Sequence, residues 1–168
     1  YGKLKKNFED HRFLTSYFET REEAAAYLKE KIRGEKVGFG GSMTCQEMGL
    51  YELLKENNQV VWHWKDEMTA AEARRAAMDS TVYILSANGV SETGELVNID
   101  GTGNRANNTA CTKNARRLRV KTPCAASVEL RCYDCNSPAR ICSATVILER
   151  PCNGMTVELV FINEDLGY

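Results

Sequence analysis

The stretch Val37 to Leu50, VGFGGSMTCQEMGL, carries the residue types that hold an anion. A short apolar strand runs into a bend containing Gly38, Gly40 and Gly41, and an amphipathic helix follows. Glycine lets the backbone turn tightly and lets a ligand approach the main chain. Thr44 and Glu47 have the spacing of a capping box, which would start the helix there. The unpaired amides of a first helical turn favour phosphate or carboxylate. No Gly-Lys-Ser/Thr follows, so the bend is not a Walker loop. The plain alternative is a strand–helix connection whose glycines only turn and whose Thr44 only caps. Gly40, Gly41, Ser42 and Thr44 are the expected ligand-binding residues, the two hydroxyls supplementing the amides.

Further groups bear chemistry. Glu92 stands in Ser-Glu-Thr-Gly, directly after an expected strand. Ligands bind at the carboxyl ends of strands in a parallel sheet, where a carboxylate serves as general base or nucleophile. Its bland reading is a solvated loop acid. Asp100, Asn104 and Arg105 lie in Asp-Gly-Thr-Gly-Asn-Arg. Arg105 offers a planar fork for phosphate or carboxylate, and otherwise belongs to a turn as an exposed arginine.

Cys124, Cys132, Cys135 and Cys142 follow the spacing C-x7-C-x2-C-x6-C. Four thiolates suit zinc or an iron–sulfur cluster, although the spacing is neither that of a zinc ribbon nor that of a ferredoxin. A redox disulfide or a set of reduced thiols are the other readings. Cys45, Cys111 and Cys152 read as bystanders. His11 and His63 lack ligand spacing. Trp62 and Trp64 flank His63, so their indoles share one face of a strand, which reads as packing, with a strand end offering them to a ligand as the other reading.

The elements that position these groups alternate. Strands are expected at His11–Phe18, Lys36–Phe39, Gln59–Trp64 and Thr81–Ala87. Helices are expected between them, two with capping boxes at Thr20/Glu23 and Thr69/Glu72, and one running unbroken from Thr44 to Glu56. Repeated strand-then-helix order is the grammar of a mostly parallel sheet with helices packed on it. After Ala87 the pattern becomes irregular, with a short strand at Leu96–Ile99. Ala144–Glu149 and Met155–Ile162 alternate as strands, and Asn153-Gly154 between them predicts a β-hairpin.

The chain has 168 residues, 43% hydrophobic and 27% charged, which suits one soluble domain with a sizeable core. Its formal net charge of −1 gives no basic field to attract nucleic acid or an anionic membrane. No apolar run has the length of a membrane span. The seven cysteines are odd in number, so full pairing within one chain is impossible. A cytoplasmic location is expected.

Three blocks together, GFGGSMTCQEMGL, ETGELVNIDGTGNR and the terminal NEDLGY, resemble the lactate-utilisation (LUD) domain family. KTPCA, Lys121 to Ala125, and CYDCNSPARIC, Cys132 to Cys142, resemble a cysteine-bearing branch of it. The resemblance implies a fold similar to ribose-5-phosphate isomerase, glucosamine-6-phosphate deaminase and the CoA transferases. It implies a link to lactate oxidation, often beside iron–sulfur partner proteins. In the related isomerases a similar bend holds a sugar phosphate. One departure stands out: the family places a further strand and helix where Arg105 here runs straight into Ala106. A parallel sheet does not readily lose an interior strand, so a βα segment is expected to be missing between 105 and 106.

The expectation is therefore a single α/β domain over 1–168, with a mostly parallel central sheet flanked by helices, isomerase/CoA-transferase-like, and a C-terminal β-hairpin. Its function would be lactate-utilisation-type, with a small anionic metabolite, phosphorylated or carboxylate, at Gly40–Thr44. Glu92 would be catalytic, and Asp100, Asn104 and Arg105 would line the ligand. Cys124, Cys132, Cys135 and Cys142 would hold zinc or an iron–sulfur cluster if they bind metal. The alternative function is a non-catalytic accessory subunit of an iron–sulfur oxidoreductase complex, docking on an iron–sulfur partner protein. Neither nucleic acid nor membrane is an expected partner, and self-association as a homo-oligomer is open.

Overall fold

The computed structural model of the chain describes residues 1–65, 67–101 and 142–167. They fall into two compact units, each built from two stretches of chain. One comprises Tyr1–Thr15 and Ala87–Glu158, the other Ser16–Ser86 and Leu159–Tyr168.

In the second unit, strands β2 (Lys36–Phe39), β3 (Gln59–Trp62) and β4 (Val82–Ile84) form a parallel sheet in the order β3-β2-β4. Phe39 stands level with Trp62 on one side and Ile84 on the other. Side chains alternate between the faces of a strand. Val37, Phe39 and Trp62 therefore share a face, buried with Leu50, Tyr51 and Leu54 of helix α4 (Leu50–Lys55) and Ala25 of helix α2 (Arg21–Lys31). Val61 and Tyr83 lie on the opposite face, against Ala73 and Ala77 of helix α5 (Ala70–Met78). Gly38 shares their register. A Cβ there would lie 2.6 Å from Ser80 Oγ and 2.9 Å from the Ala77 carbonyl, so the glycine is what lets the end of α5 approach β2.

The capping boxes at Thr20/Glu23 and Thr69/Glu72 both form, opening α2 and α5. The expected box at Thr44/Glu47 does not. Helix α3 (Met43–Glu47) is capped by Ser42, whose hydroxyl accepts the Cys45 N–H at 3.1 Å. The helix expected over Thr44–Glu56 is also broken in two, because Gly49 takes a left-handed conformation (φ 63°) between α3 and α4.

The first unit holds helix α1 (Gly2–Asp10) and an antiparallel sheet in the order β5-β6-β7, from Gly89–Val90, Leu96–Asp100 and Ala144–Leu148. All five residues of the central strand β6 are buried, including the polar Asn98 and Asp100. Phe8 and Phe13 pack edge to face with centroids 5.3 Å apart.

Two further strands, β1 (Leu14–Phe18) and β8 (Glu158–Ile162), pair with each other. The chain does turn at Asn153-Gly154, with Gly154 at φ 84°. The strands on either side of that turn nevertheless take other partners: β7 pairs with β6, and β8 with β1. The antiparallel sheet near the C-terminus is thus built on β6 and not on the expected hairpin. Overall the class is α/β, with a parallel sheet flanked by helices. Among the described residues no helix is long and apolar enough to cross a membrane.

Candidate functional site

The glycine bend continues β2, the middle strand of the parallel sheet. The β2–β3 connection through α3 and α4 covers one face, and the β3–β4 connection through α5 covers the other. Where the connections that leave two adjacent parallel strands, here β2 and β3, cover opposite faces, a crevice opens between their carboxyl ends, and ligands bind there. The bend at Gly40–Ser42 lies at this switch point, with the ends of β3 and β4 on either side.

Its residues are held as follows. The Gly40 N–H donates to the Ile84 carbonyl at 2.9 Å, extending the β2–β4 pairing by one bond. A Cβ on Gly40 would lie 3.1 Å from Leu85 Cβ, and one on Gly41 would lie 3.1 Å from Cζ2 of Trp64. A Cβ at either glycine would crowd a close neighbour, the Gly41 neighbour being an indole. Ser42 is 2% exposed and its hydroxyl is the helix cap. That cap uses the Cys45 amide, so the first-turn amides outside the bonding of α3 itself are those of Met43 and Thr44.

The last residues of the described chain reach the same helix. Gly167 (φ 81°) donates its N–H to Glu47 Oε2 at 3.0 Å, and a Cβ there would lie 2.8 Å from Thr44 Oγ1. Glu164 accepts both the backbone N–H and the Nε–H of Arg21, at 2.8 and 2.6 Å. The terminal Asn-Glu-Asp-Leu-Gly motif thus binds the starts of α2 and α3.

Of three side chains around the end of β3, sequence reasoning gave Trp64 packing or exposure to a ligand, and gave His63 and Arg74 no role. Trp64 stacks on the buried Trp62, with centroids 5.4 Å apart and ring planes at 25°, and stays 44% exposed. His63 packs edge to face on Trp64. Burial pushes its pKa down, the positive charge of Arg74 pushes it further, and a hydrogen bond to the Phe39 backbone opposes both. These effects together favour the neutral imidazole. Arg74, on α5, has its Nε buried with no hydrogen-bond partner among the described residues. The Trp-His-Trp run at a strand end was the available signal; nothing local marked Arg74.

Glu92 has a different setting from the one expected. It sits in the turn between β5 and β6, so its strand is antiparallel and the carboxyl-end rule for parallel sheets does not apply. Its side chain is 90% exposed and faces Lys3 at 3.8 Å. Its carbonyl accepts a hydrogen bond from Asn7 Nδ2 at 2.6 Å. The bound carboxylate of that turn belongs to Glu95, which accepts the hydroxyls of Ser91 and Thr93. Those bonds, from Ser91 first, hold the Glu95 pKa below the ordinary carboxylate value.

Asp100 is 5% exposed at the end of β6, opposite Ala144, and its carbonyl accepts the Ser143 N–H at 3.0 Å. Glu92 and Asp100 belong to the first unit and the glycine bend to the second. Asn104, Arg105, Cys124, Cys132 and Cys135 lie outside the described residues, as does the junction of 105 with 106. Cys142 is half-buried, two residues before β7. Among the described residues no cluster of side chains could hold a metal ion. A shallow groove of about 560 Å³ runs between α2 and α3–α4, lined by Arg21, Lys29, Glu47, Glu52 and Glu56 among others, away from the strand ends.

The family model for the LUD domain matches residues 1–110. The chain belongs to the LUD domain family. The match covers both sides of the glycine bend, the Ser-Glu-Thr-Gly turn and the Asp-Gly-Thr-Gly-Asn-Arg motif of this LUD chain, and it stops short of the cysteine-rich stretch. No curated protein and no solved structure matches the LUD chain.

Proposed function

We propose that this LUD protein serves lactate-type carboxylate metabolism by holding a small anionic metabolite at the carboxyl-end edge of β3-β2-β4. One observation carries the reading: the glycine bend lies at the switch point of a parallel sheet whose helices cover opposite faces. The surroundings suit an anion. Arg74 supplies a positive charge whose Nε has no internal partner among the described residues, and the neutral form of His63, favoured by its burial, can accept or donate one proton. Ser42 supports the bend from within as the helix cap, while Gly40, Gly41 and the Thr44 amide form its wall. LUD family membership supports the metabolic setting.

Isothermal titration of the full chain with L-lactate, pyruvate, inorganic phosphate and ribose 5-phosphate tests the reading. At least one should bind, and Arg74→Gln should weaken it by roughly tenfold or more, the scale of one hydrogen bond to a charged group. Heat from none of the four would sink the proposal. Zinc or iron in anaerobically purified protein, together with no ligand binding, would instead favour the accessory-subunit role beside an iron–sulfur partner.

A further inference from the structure

Phe39, Trp62 and Trp64 form a continuous ladder of rings. Phe39 stacks on Trp62 with centroids 4.9 Å apart and planes at 24°, and Trp62 stacks on Trp64 at 5.4 Å and 25°. The ladder begins in the core, where Phe39 and Trp62 are 1% and 0% exposed, and ends at Trp64, which is 44% exposed. A surface indole commonly leans on whatever apolar surface is near. This one has one face seated on a fully buried ring, and its Cζ2 edge lies 3.1 Å from where a Cβ at position 41 would stand. The result is an apolar plate beside the glycine bend, positioned by its stack on Trp62.

The charges around the plate select what would cover it. His63 packs edge to face on Trp64 with centroids 5.8 Å apart, and Arg74 of α5, its Nε buried with no hydrogen-bond partner among the described residues, places a positive charge within reach of His63. A small hydroxy acid would satisfy the positive charge and leave the indole exposed. A ligand that joins an anionic group to a neutral planar ring would satisfy both. We infer that Trp64 is the stacking platform of this site and that its ligand is of the nucleoside-phosphate class, the phosphate at the bend and Arg74 and the base on the indole. This rests on reading the strand edge as an anion site.

Titration of the full chain with AMP, ribose 5-phosphate and inorganic phosphate separates the two readings, followed by heat and by indole emission. AMP should bind about tenfold more tightly than ribose 5-phosphate, the scale of one base stacked on an aromatic side chain, and should quench emission. Trp64→Leu should bring AMP down to the affinity of ribose 5-phosphate, leave ribose 5-phosphate unchanged, and abolish the quenching. Trp64→Phe should restore part of the AMP preference. Equal affinities in the wild type, or an AMP preference that survives Trp64→Leu, would overturn the inference while the anion site stands. Binding of none of the three would remove the nucleotide site and the phosphate arm of the anion reading together, and L-lactate and pyruvate titrations would then decide what remains.

Discussion

Glu164 holds the first residue of helix α2. One carboxylate oxygen accepts the Arg21 backbone N–H and the other accepts its Nε–H, across 143 residues of sequence. A carboxylate at a helix start meets an unpaired amide and the positive end of the helix dipole. Thr20 already caps the same turn from its own side, bonding the Glu23 amide. The end of the described chain and the start of α2 thus complete each other.

The first prediction concerns that clamp and acid. Bonds from the Arg21 backbone, then from its side chain, hold the Glu164 pKa below the ordinary carboxylate value. A carboxylate with a depressed folded pKa stabilises the fold above its unfolded pKa and loses that contribution as pH falls through the folded value. Glu164→Gln should therefore lower Tm near neutral pH. The gap between variant and wild type should close as pH drops below the ordinary carboxylate range. Thermal melts at stepped pH check this; a gap that stays constant down to about pH 3 would exclude the charge as its source.

A second prediction compares two glycines. Gly154 and Gly167 have nearly the same backbone angle, φ 84° and 81°, but only Gly167 is crowded. Alanine at Gly154 meets open space and incurs the left-handed strain alone, about 1 kcal/mol. Alanine at Gly167 adds a clash at 2.8 Å with Thr44 Oγ1. Gly167→Ala should cost clearly more, and Thr44→Ala should relieve the excess in the double variant. Denaturant melts of the four proteins measure it. Equal costs at the two glycines would mean that the tail does not rest on Thr44.

Features set by near neighbours in sequence were legible before the fold was seen. The boxes at Thr20/Glu23 and Thr69/Glu72 each need only residues three apart, and both form. Ser42 and Thr44 are both good caps two residues apart, and Glu47 favoured the wrong one; burial of Ser42 decided it. The turn at Asn153-Gly154 was legible too, because a turn is local, whereas the partners of its flanking strands are a matter of tertiary pairing. Glu92 shows the same limit. The parallel strand expected before it was readable, but the short β5 that intervenes and pairs antiparallel with β6 was not. The exposed face of Trp64 and the approach of Arg74 exist only once α5 lies on the sheet.

The third prediction compares two acids of one turn. Glu92 is exposed, with one distant lysine. Glu95 is tied to two hydroxyls, and the same Ser91 hydroxyl accepts the Gly94 and Glu95 amides at 3.0 and 2.8 Å. Hydrogen bonds to a charged group exceed neutral ones, though partial exposure discounts them. Glu95→Gln should cost about 1 kcal/mol, while Glu92→Gln should leave stability within about 0.5 kcal/mol. Chemical denaturation decides it. A larger loss at Glu92 would show that this turn is not held through Glu95.

The last prediction separates the two glycines of the bend. At Gly40 the obstructing atom is Leu85 Cβ, which is tied to the backbone of the chain leaving β4. It cannot swing aside, so Gly40→Ala must shift main chain, and overpacking of that kind costs about 1–3 kcal/mol. At Gly41 the obstruction is the far edge of the Trp64 indole, 3.1 Å away. That ring is partly exposed and can tilt from Trp62. Gly41→Ala should therefore cost less than about 1 kcal/mol yet change indole emission, while Gly40→Ala should do the reverse. If the strand edge is the binding site, Gly41→Ala should also weaken AMP more than inorganic phosphate, because it displaces the plate and leaves the bend. Equal stability losses at the two positions, with emission unchanged at Gly41, would mean that Trp64 does not rest on the bend.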